Sequence, residues 1–303
     1  MKKILFIIII ALLVACTDKE SGTQQADSSQ QHPLVICSNY PLYFFTTEIA
    51  GEYIDVRMPV IDGDPAMWAP NGVDVADLQD ADLLILNGAG YESWLAFTTL
   101  PREHILDTSA QLQSLLLPIE NETVHQHGPA GKHSHPGTAF TTWLDPQLAI
   151  AQAGAITQGL SRLVPEQTGS FEANFEKLKQ KLNRLDQSLN EVFALLEGQP
   201  VIFSHPVYQY LQHRYKINGR SAHWEPDSEP GTRDWIDFGK LRREHPAEIM
   251  IWEASPLDSV RQQLLQMDIK SVVFEPAGNR PEQGGYFEVM EQNLLRLKAQ
   301  MER

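Results

Sequence analysis

Four of the ten histidines, His125, His127, His133 and His135, fall within one short stretch, HQHGPAGKHSH at 125–135. Neutral imidazole is the commonest protein ligand for zinc, copper and nickel, and HxH twice, separated by glycine and proline, reads as a metal-collecting segment. A polar surface loop whose histidines bind nothing is the plainer alternative. A second set of candidate ligands follows residue 198, where four apolar runs each end at a group able to hold a cation. Residues 201–204 end at His205, 221–224 at Glu225, 249–252 at Glu253 and 272–274 at Glu275, with His223 inside the second run. Ligands of open parallel sheets bind beyond the carboxyl ends of the strands, and unpaired charges clustered there are costly to bury. A divalent cation is the simplest partner. Glu225 and Glu253 could equally cap neighbouring helices or pair with Arg233, Arg242 or Arg243, and His223 could be a packed core histidine.

The elements that must position these groups are read from apolar periodicity. Runs at 34–38, 53–60, 83–87 and 105–107 predict short buried strands, with helices at 43–50 and 74–81 between them. The pattern repeats after residue 198, with strands expected at 201–204, 220–224, 248–252 and 271–274. Such alternation predicts an α/β fold with parallel sheets, here in two similar lobes. Between them Phe171, Phe175, Leu178, Leu182, Leu185, Leu189, Val192 and Leu195 recur every three or four residues, bracketed by Gly169 and Gly198. This predicts one long, stiff linking helix of roughly 40 Å at 1.5 Å per residue. The expected division is an N-terminal lobe over 33–165 with the His-rich loop at 121–138, a linking helix over 166–197, and a C-terminal lobe over 198–303.

The first residues read as an export signal. Lys2 and Lys3 precede an apolar run at 4–13 that is too short to span a bilayer. The run ends in LVAC at 13–16, which resembles the bacterial lipobox, so Cys16 is the expected lipidation site. Residues 17–32 are almost free of apolar side chains and predict a flexible tether. The absence of aspartate after Cys16 fits, by resemblance to Gram-negative sorting, an outer-membrane destination. Cys37 is then the one remaining cysteine, which excludes an intramolecular disulfide and leaves a buried thiol in an apolar run. The chain carries a net charge of −15, and removing Lys2 and Lys3 makes it −17. That balance argues against nucleic acid and anionic lipid and suits attraction of cations.

Several blocks in order resemble one family. They are NYPLYFFTTEIAG at 39–51, Asp64-Pro65, ADLLILNGAGYESWL at 81–95, WLDP at 143–146, and HPVYQY at 205–210. Together they are similar to the zinc/manganese substrate-binding proteins of ABC importers, the ZnuA/TroA-like group, over nearly all of the mature chain. The resemblance implies two α/β lobes, a rigid linking helix, one metal site in the cleft and a histidine-rich loop in the zinc-specific branch. Of the family's four ligands it carries over two, His205 and Glu275, the latter where aspartate is usual. The other two positions hold Ala66 and Thr141. Alanine cannot coordinate, and a neutral hydroxyl is a poor zinc ligand. His133 or His135 is a candidate replacement reaching in from the loop, and His223 is another. Met67 suits only a soft ion such as copper(I).

The expected function is that of a lipid-anchored monomer capturing zinc, with manganese or copper as alternatives, for an ABC permease and its ATPase subunit. A degenerate family member acting as metal buffer or scaffold is the second reading. A metallohydrolase is the third. The sequence holds no HExxH helix, no G-x-S-x-G elbow and no phosphate-binding glycine loop, so it is not expected to be an enzyme.

Overall fold

Four short apolar runs pair in the first sheet of the computed structural model, which describes residues 32–61, 63–119, 125–126, 132–133 and 137–301. They are β1 (Leu34–Cys37), β2 (Asp55–Arg57), β3 (Leu83–Leu86) and β4 (Ile105–Asp107), all parallel, in the order β2-β1-β3-β4. In the His-rich stretch the backbones of β5 (His125–Gln126) and β6 (Lys132–His133) pair antiparallel. The second sheet contains β7 (Val201–Phe203), β8 (Gly219–Ser221), β9 (Ile249–Trp252) and β10 (Lys270–Val273), again all parallel, ordered β10-β9-β7-β8. Counted from its own first strand, each sheet has the order second-first-third-fourth. Each therefore reverses direction between its first and third strands, and a crevice opens at that switch point.

Both faces of both sheets are covered, which is why the strands read as continuous apolar runs. Val35, Cys37, Leu83 and Ile85 face a central core, while Ile36, Leu84 and Leu86 pack outward with Trp94. In the second sheet Val201, Phe203 and Ile251 join that same central core, and Ile202, Met250 and Trp252 pack outward with Trp224 and Phe238. The central core runs unbroken from one sheet to the other because α4 (Thr168–Ala194) contributes Phe171, Leu178, Leu182, Leu185, Leu189 and Val192 to it. This is the expected linking helix. It packs against α1 (Tyr40–Ala50) and α3 (Pro146–Leu163) on one side and α5 (Gln209–Tyr215) and α8 (Tyr286–Met301) on the other. Asp186 on α4 pins both sides: it accepts from Gln147 at 3.0 Å, Arg214 at 2.6 Å and Tyr215 at 2.8 Å.

Helix starts follow local chemistry. Asn39 accepts from the Leu42 N–H at 3.0 Å and Pro41 stands in the first turn of α1. Asn71 and Asp74 form a reciprocal capping box on α2 (Gly72–Asp80), and Asp145 caps α3 ahead of Pro146. The remaining helices, α6 (Thr232–Glu244) and α7 (Asp258–Gln266), cover the outer face of the second sheet. Among the described residues no helix is long and apolar enough to cross a membrane. The expected signal, Cys16 and nearly all of the tether lie outside the described residues.

Candidate metal centre

A cleft of about 1850 Å³ opens over the carboxyl ends of the second sheet and is walled by both halves of the molecule. His205 follows β7 and Glu253 follows β9, so the two flank the second sheet's switch point. Glu225 arrives from the segment after β8. One ligand atom each from His205, Glu225 and Glu253 lies within 4.8 Å of the others. His205 Nδ1 and Glu225 Oε1 are 3.4 Å apart, and the imidazole is mostly buried, its side chain 12% exposed. A tetrahedral zinc with ligands at about 2.1 Å holds them about 3.4 Å apart, so this pair already has the required spacing.

Ionising the carboxylates at this edge is unfavourable without a cation. Burial pushes Glu253 up to about 8, and the charges of Glu225, Asp64 and Asp227 add to the shift. Tyr208 is displaced upward as well, by burial and then by Glu253 and Glu275. Its hydroxyl donates to the Phe274 carbonyl at 2.6 Å and braces the β10 tip.

Glu275, expected from the resemblance as a ligand, lines the same cleft but stands outside the three-residue group. Its carboxylate pairs with Arg296 of α8 at 2.7 Å, where both side chains are 41% exposed. His223 also lines the cleft. It is exposed, adopts a left-handed backbone (φ 61°), and its ring centroid lies 6.3 Å from that of His205. Of the arginines weighed as alternative partners, Arg233 pairs with Asp237 at 3.7 Å. His127 and His135 lie outside the described residues, and of His125 and His133 only the backbone is described.

The first half contributes no imidazole from its described residues. Ala66 is buried in the central core. The Thr141 hydroxyl donates to the Val207 carbonyl at 2.6 Å, fastening the segment before Trp143 to the second lobe. The first sheet's own switch point is instead filled by a closed polar network. Glu92 accepts from the Ser38 hydroxyl and the Asn87 N–H, both at 2.6 Å, and from the Gly88 N–H at 3.0 Å. Burial raises Glu92 to about 7 although these donors pull it down. Gly88 has φ 72°, and a Cβ there would fall 2.0 Å from Asp107 Oδ1, so only glycine fits.

Comparison with known proteins settles the lineage. The model of the family "Zinc-uptake complex component A periplasmic" matches residues 35–300. The chain belongs to the ZnuA family. ZnuA relatives include the zinc-binding lipoprotein AdcA of Streptococcus pneumoniae, 28% identical over 302 residues, covering 94% of this chain and 58% of that protein. The chain thus spans little more than half the length of that relative. The high-affinity zinc uptake system protein ZnuA of Bacillus subtilis is 28% identical, covering 95% of this chain and 93% of its own. The metal ABC transporter substrate-binding lipoprotein SsaB of Streptococcus sanguinis is 26% identical, with 97% of each covered. Among solved structures, the metal-dependent lipoprotein YcdH of B. subtilis superposes with a TM-score of 0.74 at 24% identity, covering 88% of this chain and 98% of its own. The Zn(II)-bound ZnuA-like domain of pneumococcal AdcA superposes with a TM-score of 0.73 at 22% identity, covering 90% and 100%. The expected family and two-lobed fold are borne out.

Proposed function

We propose that the chain is a lipid-anchored extracytoplasmic receptor that captures zinc in the cleft and hands it to an ABC permease with its ATPase subunit. Family membership and the zinc-binding or zinc-uptake names of its relatives support the cargo. The arrangement of His205, Glu225 and Glu253 carries the reading. One imidazole and two carboxylates are a zinc-compatible donor set that leaves a fourth position open. Cys16 holds the anchor, and the His-rich stretch 125–135 gathers further, weaker ions. Capture and release make and break only coordination bonds to the ion, so the role assigned is transport and not turnover.

Zinc titration of the mature protein tests this. One tight ion is expected, with affinity falling as pH drops through about 8, where Glu253 takes up a proton, and falling further in acid as imidazole protonates. His205→Ala should weaken that ion about 100-fold or more, since even outer-shell substitutions at metal sites cost 10- to 100-fold. Unchanged affinity in His205→Ala would exclude the cleft as the cargo site.

A further inference from the structure

Between β10 and α8, the chain from Glu275 to Gly285 straps across to the first lobe. The Pro276 carbonyl accepts from Trp143 Nε1 at 2.8 Å, and the Gly278 carbonyl accepts from the Tyr40 N–H at 3.2 Å. The Arg280 guanidinium lies 4.6 Å over the Tyr43 ring. Between these contacts, Asn279 Nδ2 donates to two first-lobe carbonyls, Ile61 at 2.9 Å and Gly63 at 3.2 Å. The other end of that amide accepts from the Arg280 N–H at 2.8 Å, which fixes which way it points.

The turn held by Asn279 leads directly into Asp64. Asp64 caps the short 3-10 turn Pro65–Met67, its Oδ1 accepting from the Ala66 N–H at 2.9 Å. It is exposed and lines the same cleft as His205, Glu225 and Glu253. Two residues on is the buried Ala66, and Thr141 is committed to Val207. Among the described residues, Asp64 is the one carboxylate that the first lobe presents to the cleft, and the second lobe's three donors leave one position of a tetrahedron unfilled.

We propose that Asp64 is the first lobe's ligand to the cargo and that Asn279 is the positioning residue that clamps its turn over the cleft. The assignment rests on the cargo reading of His205, Glu225 and Glu253. It makes the first-lobe donor an acid instead of an imidazole and ties it to the strap that begins at Glu275.

The test is zinc affinity, by competition with a chromophoric chelator, in the full mature chain. Asp64→Asn keeps the cap hydrogen bond and removes the charge, and should lose about 10- to 100-fold. Asn279→Ala should lose about tenfold with the metal-free melting temperature unchanged. The double variant should bind no more weakly than Asp64→Asn alone, because Asn279 acts through Asp64, whereas a general structural role would give additive losses. Additive losses, or parental affinity in Asp64→Asn while His205→Ala loses zinc, overturn this assignment alone. Parental affinity in His205→Ala overturns the cargo reading and this assignment with it.

Discussion

The two sheets share one strand order, and each carries a glutamate at its switch point, buried in the first and half-buried in the second, yet the two acids live in opposite surroundings. Glu92 in the first half receives three hydrogen bonds, from Ser38 and from the Asn87 and Gly88 backbones. Glu253 in the second half lies in the field of like charges, those of Glu225, Asp64 and Asp227. Both are shifted upward, to about 7 and about 8, chiefly by burial. A raised carboxylate therefore does not mark the site by itself. What separates the two is the company: donors close the first network and make it structural, while like charges leave the second in want of a cation.

Exchanging the two acids' roles should break this contrast most visibly in zinc affinity. Glu253→Gln is expected to weaken the tight zinc ion about 100-fold or more, whereas Glu92→Ala should leave it within about twofold, both read by chelator competition. Stability should respond the other way. Glu92→Ala leaves the buried Ser38 hydroxyl and the Gly88 N–H without their acceptor, and the Asn87 N–H with only its longer bond to Ser38 Oγ, and should cost about 3 kcal/mol in denaturant unfolding. Glu253→Gln removes a confined charge and should raise the metal-free melting temperature at pH 8.

The pH dependence sharpens the comparison. An acid raised from 4.5 to about 8 in the folded state keeps a proton that the unfolded chain has released. Stability of the metal-free protein therefore falls as pH rises from about 4.5 through 8 on account of Glu253, and from about 4.5 through 7 on account of Glu92. Saturating zinc keeps Glu253 ionised and should abolish its part of the slope while leaving that of Glu92. Calorimetry at pH 7 should also register proton release on zinc binding, and Glu253→Gln should reduce it. Smaller effects are expected further from the triad. Glu275→Gln should change zinc affinity by less than about threefold, and deleting 125–135 should lower the number of weak ions without moving the tight one more than about twofold.

Much of the fold was legible. β4 matches its predicted run residue for residue, and β1 and β3 each lie within theirs, because a strand buried on both faces must be apolar throughout. The predictions at 53–60 and 220–224 ran long because apolar residues continue past the ladders. β2 stops at Arg57, and β8 stops at Ser221, just before His223 turns left-handed. α1 and α2 begin earlier than predicted, although Asn39 with Pro41, and Asn71 with Asp74, were capping signals in plain sight. α3 lies outside the elements expected from apolar periodicity, although Asp145-Pro146 is a helix-start signal.

The candidate site was less legible. Strand-tip positions pointed to all four second-lobe groups, but the sequence could not rank them. Arg296, which occupies Glu275, lies 21 residues downstream on α8, and no local pattern announces that pairing. A lone acid ahead of Pro65, Asp64 carries no local signal that separates a ligand from a turn cap. Only the fold brings Asp64 into the cleft that Glu253 also lines and places Asn279 against its turn.

The most direct measurement is a zinc-loaded crystal structure with anomalous scattering recorded at the zinc edge. A single strong peak about 2.0–2.2 Å from a His205 ring nitrogen and from carboxylate oxygens of Glu225 and Glu253 is the predicted result. A peak on Glu275 without Glu253, or peaks confined to 125–135 above an empty cleft, would contradict it.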